Sequence, residues 1–268
     1  MNIKHLTIIC FLMIGFFANA QKLPEVQTVN LRAPAGIKID GKPTEWDSKF
    51  QAYNKSTNAF YTIANDDDNL YLIIQVTDIY VINKIFSSGI TFIINKSGEK
   101  SDENTISITY PVIDHTGRPN IDLTHQPQGA NADSVVIANN MHISNKVKWI
   151  RVTGIKGLDT LTSVYNREGI KAAGLFNNKM AYTYELSVSL NNLGLTVNTP
   201  VKFAYHLKFN GADINNMNGY TTGPLSRTGF PTSVTIEPGA LLLTHDNLAF
   251  MESTTDFWGE YILAKKPQ

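Results

Sequence analysis

Aromatic residues set among amides and a guanidinium are the parts of this sequence best suited to holding a neutral, hydroxyl-rich ligand. Between Asn210 and Pro231 the chain places Tyr220, Arg227 and Phe230 among Asn215, Asn216 and Asn218. An aromatic face can cover the apolar side of a sugar ring while a few polar groups fix its hydroxyls. Burying one such side chain contributes on the order of 1.5–3 kcal/mol. Trp149, between Lys148 and Ile150, is the fourth candidate and reads either as a stacking platform or as packed core. Trp46 and Trp258 read as structural plugs, because tryptophan is largely buried on average. A connection as long as 210–231 in a compact domain is usually functional or mobile.

Other chemistry finds less support. Asp66-Asp67-Asp68 reads as an acidic turn, since Asp and Asn satisfy turn geometry. A structural calcium ion, taking six to eight oxygens, is the alternative for this run, although the spacing lacks the EF-hand pattern. No other cofactor is expected. His115, His125, His142, His206 and His245 are scattered, with no pair at metal spacing. His206, between Tyr205 and Leu207, reads as a satisfied core histidine. There is no Gly-x-Ser-x-Gly elbow, no His-Glu-x-x-His and no phosphate-cradling glycine loop. Glycoside hydrolysis needs two carboxylates facing one cleft. Glu45 and Glu185 do not suggest it. Glu185 stands opposite the face shared by Tyr182, Tyr184, Leu186 and Val188, where a solvated or hydrogen-bonded edge carboxylate is the ordinary explanation. No catalytic residue is expected.

The elements that must position these residues are strands. Tyr71–Val76, Gly89–Ile94, Thr105–Val112, Val147–Val152, Leu161–Tyr165, Tyr182–Val188, Val201–Phe209, Thr232–Ile236 and Phe257–Leu263 are apolar or alternating runs. Turn signals separate them, at 65–69, 96–98, 114–120 and 177–178. Short strands at such spacing point to an all-β fold, a single antiparallel β-sandwich, rather than βαβ units. One helical turn is expected at Ser189–Leu193, stopped by Gly194.

Residues 1–20 read as an export leader: Lys4, an apolar run from Leu6 to Phe17, then Ala18-Asn19-Ala20 as a small-x-small cleavage site. The run is too short to cross a hydrocarbon core, which needs ~20 residues. The single cysteine, Cys10, would leave with the leader, so a thiol-free domain is expected at 21–268, secreted to the periplasm or beyond. Lys plus Arg equals Asp plus Glu at 23 each, which argues against nucleic acid and anionic membranes as partners.

Four blocks carry a resemblance. Ile37-Lys38-Ile39-Asp40-Gly41-Lys42-Pro43-Thr44-Glu45-Trp46 resembles the opening signature of family 9 carbohydrate-binding modules: a strand ending in Ile-Asp-Gly, a turn, then Glu-Trp. Phe60–Asp78 resembles the family's hairpin of two strands around an acidic turn. Ala181–Leu190 resembles its late strand carrying a Glu, and Thr255–Tyr261 its closing strand. The resemblance implies a jelly-roll-like sandwich and a secreted, non-catalytic module that binds a carbohydrate. The alternative is an envelope sandwich that docks a protein partner. Where the family brings an aromatic and an acidic residue after the hairpin, this chain has Asn83–Ile90, with neither Trp nor Asp.

Overall fold

The described residues of the computed structural model form thirteen strands and four helices. Those residues are 22–113, 118–123, 132–212, 220–222, 224, 226–228, 232–236 and 244–266. The expected leader at 1–20 lies outside them. The strands are β1 (Ala52–Asn54), β2 (Ala59–Asn65), β3 (Asn69–Val76), β4 (Ile90–Asn95), β5 (Ile106–Val112), β6 (Trp149–Thr153) and β7 (Leu161–Ser163). They continue as β8 (Ile170–Phe176), β9 (Tyr182–Ser189), β10 (Lys202–Phe209), β11 (Tyr220–Thr222), β12 (Val234–Ile236) and β13 (Thr255–Ile262). The helices are α1 (Ile79–Ser88), α2 (Ala132–Lys146), α3 (Leu190–Leu193) and α4 (His245–Glu252).

Two antiparallel sheets face each other, in the orders β1-β2-β3-β9-β8 and β13-β10-β4-β5-β6-β7, and β11-β12 form a small separate ribbon. Period-2 side-chain alternation puts Leu70, Leu72, Ile74, Tyr184 and Leu186 of the first sheet against Phe92, Ile108, Ile150, Phe203 and Leu207 of the second in one core. The Tyr61 and Tyr205 hydroxyls meet across it at 3.0 Å. This is the all-β sandwich expected, and α3 with Gly194 in the left-handed conformation ends as the sequence suggested.

Strand β8 and helices α1, α2 and α4 were not expected. Helix α1 is rich in β-branched residues, which favour strands, yet Asp78 caps it by accepting from the Tyr80 and Val81 amides and Gly89 ends it at φ 76°. Its Val81, Ile82, Ile85 and Phe86 complete the core, and Phe86 stacks on Phe176, so α1 closes the end where β8 stops and β9 begins. Lys84, fully buried, ties α1 to the last strand by donating to Ser253 O and Thr255 Oγ1. Strand β8 is masked in sequence by Ala172, Ala173 and Gly174. Gly174 is needed there, since a Cβ would lie 2.0 Å from Tyr182 Oη.

The outer face of the five-stranded sheet is covered by residues from the N-terminal segment. Leu31, Ala33, Ile37, Ile39, Trp46 and Phe50 pack on Ala64, Tyr71 and Ile73. This second, smaller apolar layer makes β2 and β3 buried on both faces.

Candidate functional site

The residues with the strongest sequence pattern form a clasp. Gly41 takes φ 82° in a place where a Cβ would meet Leu175 N at 2.7 Å, so only glycine fits the turn. That turn aims the Asp40 and Gly41 amides at Glu185 Oε2, at 3.0 and 2.9 Å, while Trp46 Nε1 donates to Glu185 Oε1 at 3.1 Å. Glu185 is only 1% exposed. Burial pushes its pKa up to about 7, against the pull of the three N–H donors towards the charged form. Trp46 also lies edge-on to Tyr71. Trp46 is therefore the plug expected, and Glu185 is a hydrogen-bonded carboxylate, though a buried one and not at an edge. All of this binds the chain to itself.

The acidic turn is likewise engaged. Asp66 accepts from the Asp68 and Asn69 amides and, at 2.6 Å, from Tyr71 Oη. Asp67 pairs with Arg32 at 2.9 Å and Lys266 at 2.6 Å. Among the described residues no group of three His, Cys, Asp or Glu side chains is arranged to hold a metal ion.

His206 lies on the outer face of the six-stranded sheet, because Tyr205 and Leu207 take the inner one. Its ring stacks on Trp258 at 4.1 Å and Nδ1 is 2.8 Å from Asp102 Oδ1, whose other oxygen meets Lys208 at 3.3 Å. Its Nε2 is 3.1 Å from Asp256 Oδ1 but outside hydrogen-bond geometry. Trp258 is thus half-buried in a local cluster.

Trp149 is different. It opens β6, whose odd positions face solvent, and it is 43% exposed. The ladder sets it opposite Ser163 of β7, with Arg151 opposite Leu161. Tyr165 lies two residues past Ser163, in the turn that Asn166 N closes by donating to Ser163 O. Tyr165 is 74% exposed yet held: Lys148 Nζ donates to its Oη at 2.7 Å and to Ser144 O at the end of α2. Asn166 Nδ2 fixes the following turn through Ser163 O and Ile170 O. Beneath Tyr165 is a cavity of about 280 Å³ lined by Asp40, Tyr110, Ser144, Val164 and Ala173 among others.

Two exposed rings, one wedged in place beside a cavity and flanked by Lys148 and Arg151, suit a ligand with one apolar and one polar side. Of the residues expected in the 210–231 connection, Tyr220 lies in β11, paired with Ile236, and its side chain is outside the described residues. Arg227 is exposed in a turn, and Phe230 lies outside the described residues, as do Asn215, Asn216 and Asn218. Among the described residues no hydrogen bond, ion pair or ring contact links Arg227 to Trp149. Tyr165, Lys148 and Arg151 were missed. The signal for Tyr165 was its odd-position match with Leu161 and Ser163 on an otherwise alternating run.

A search of solved structures finds a likeness to a family 9 carbohydrate-binding module from Caldicellulosiruptor kristjanssonii in complex with glucose. The match has 12% identity and a TM-score of 0.33, covering 70% of this chain and 81% of that one. A scan against family models finds no match, and a search of curated proteins finds none. The two packed antiparallel sheets, and not this distant likeness, establish the β-sandwich.

Proposed function

We propose that this protein is a secreted, non-catalytic module that binds a carbohydrate on the Trp149–Tyr165 edge. The observation that carries the reading is a pair of solvent-facing rings at the β6–β7 edge, Trp149 on β6 and Tyr165 in the turn after β7, with Tyr165 braced by Lys148 although 74% exposed. A soluble protein has no packing reason to brace so exposed a ring, whereas a ring fixed in advance loses less freedom on binding. Each sugar face laid on such a ring gains through buried area. The leader-like first twenty residues and the four family-like blocks agree with the reading. No helix among the described residues is long and apolar enough to cross a membrane.

The test is a glycan array probed with the folded protein and with Trp149→Ala. Retention on at least one polysaccharide is expected, reduced at least tenfold in the variant. No retention on any glycan by folded protein sinks the proposal.

A second reading, docking of an envelope protein, is favoured by Ile137 and Met141. They lie one turn apart on α2 and are 66% and 55% exposed. Paired Ile137→Lys and Met141→Lys changes that leave glycan retention intact but abolish a co-purifying partner would support it.

A further inference from the structure

Charge is unevenly distributed around the aromatic edge. Between residues 146 and 167 the chain carries Lys146, Lys148, Arg151, Lys156 and Arg167 against Asp159 alone, in a protein whose net charge is zero. Elsewhere among the described residues Arg32, Lys49, Lys55, Lys202, Lys208 and Lys266 meet carboxylates while Lys38, Lys42, Lys96, Lys100, Lys171 and Lys179 do not, so the edge is marked by its local excess of cations and not by their lack of partners. Among the described residues none of the five has a carboxylate partner. Arg151 is exposed on the same side of β6 as Trp149, two residues along, a rise of about 6.6 Å. Lys148 has three N–H donors, and Ser144 O and Tyr165 Oη take two.

We infer that the ligand of the Trp149–Tyr165 platform is an acidic polysaccharide, with a ring laid on Trp149 and its carboxylate or sulfate groups taken by Arg151, in the positive field to which Lys148 adds. This rests on the carbohydrate reading above and adds its charge class. A planar guanidinium offers two parallel donors to a carboxylate or sulfate, so Arg151 sets the direction of the anion. Single-stranded nucleic acid also stacks on aromatic rings in positive grooves. A binder of that kind carries a strongly basic domain, which a net charge of zero does not provide.

The test uses matched polymers differing only in charge, with affinity read by titration calorimetry. The pairs are polygalacturonate and its methyl ester, carboxymethylcellulose and hydroxyethylcellulose, and dextran sulfate and dextran. At least one charged polymer is expected to bind at least fivefold more tightly than its uncharged counterpart. The preference should shrink as salt rises, because exposed charges are screened beyond about 10 Å at 0.1 M. The carboxylate and sulfate arms tell the two anions apart. Arg151→Gln removes most of the preference, bringing each charged polymer to within about twofold of its uncharged counterpart, and Arg151→Glu inverts it, each with an unchanged circular dichroism spectrum. Binding of uncharged polymers alone, or equal binding within every pair, overturns the charge class and leaves the carbohydrate reading standing. Binding of no polymer overturns both. The inference also falls if Trp149→Ala leaves charged-polymer affinity unchanged, or if an oligothymidylate binds as tightly as the best polymer.

Discussion

On the five-stranded sheet the outer face around Ile73 and Glu185 is overlaid by Leu31, Ile37, Ile39 and Trp46, whereas the β6–β7 edge of the six-stranded sheet turns Trp149 and Tyr165 to solvent. Both regions combine tryptophan, tyrosine and charged side chains. In the first, the Glu185 and Asp66 carboxylates are answered from within the chain: Glu185 by three N–H donors, Asp66 by two amides and a tyrosine hydroxyl. In the second, the cations have no carboxylate partner among the described residues and both rings are exposed, with Lys148 Nζ 4.9 Å from the centre of the Tyr165 ring. The residues with the most recognisable spacing thus hold the fold, and those available to a ligand carry no motif. A signature of this kind informs on architecture and leaves the ligand open.

The largest effect that separates the two regions is expected at Trp46. Trp46→Ala removes a buried ring that packs on Tyr71 and donates to Glu185. The cost is about 3–5 kcal/mol, measured as the shift in urea midpoint, while glycan affinity of the folded fraction stays the same. An unchanged midpoint would mean that the N-terminal layer rests on the sheet without stabilising it.

The legible and illegible parts of the molecule divide along the same line. Strands β3, β5, β9, β10 and β13 were readable because one face alternates with the other along their length, and the core takes the apolar set. Strand β8 was not, because the space above Gly174 belongs to the Tyr182 ring and small residues give no alternation. Helix α1 looked like strand sequence, and only Asp78 and Gly89 at its ends betrayed it. Trp149 was readable as an ambiguous position, and its exposure follows from β6 lying near the sheet edge, a matter of strand order that no local pattern reveals. The local excess of positive charge was hidden by a whole-chain balance of zero. The tertiary partner of Tyr165, Lys148, comes from the strand entrance across the hairpin.

The pH dependence of stability gives a sharper measure of how closed the covered face is. Burial raises Glu185 from 4.5 to about 7. Between those values the folded protein keeps a proton that the unfolded chain has released. Stability from this group is therefore full below about 4.5, falls as pH rises towards 7, and is level above. The shift corresponds to on the order of 3 kcal/mol. Glu185→Gln removes this titration, so the difference in unfolding free energy between wild type and variant must change across pH 4.5 to 7 by about that amount. A constant difference would show that the carboxylate is ionised throughout and that the three donors outweigh its burial.

The smallest change in stability is expected at the open edge. Tyr165 has most of its ring in water and a hydrogen bond to the half-buried Lys148 at the surface. Exposed ion or hydrogen-bond partners of this kind contribute little to folding, so Tyr165→Ala should move the unfolding free energy by no more than about 0.5 kcal/mol. Its effect on ligand affinity should be far larger in proportion, about tenfold or roughly 1.4 kcal/mol, because a preset ring face is lost. Tyr165→Phe separates the face from the hydroxyl: the ring remains but loses its tether to Lys148. An intermediate affinity for this variant would assign the remainder of the effect to the brace. If instead Tyr165→Ala unfolds the protein as readily as it weakens binding, the ring is packing against α2 across the cavity it borders, and the edge is part of the fold in the same sense as Trp46.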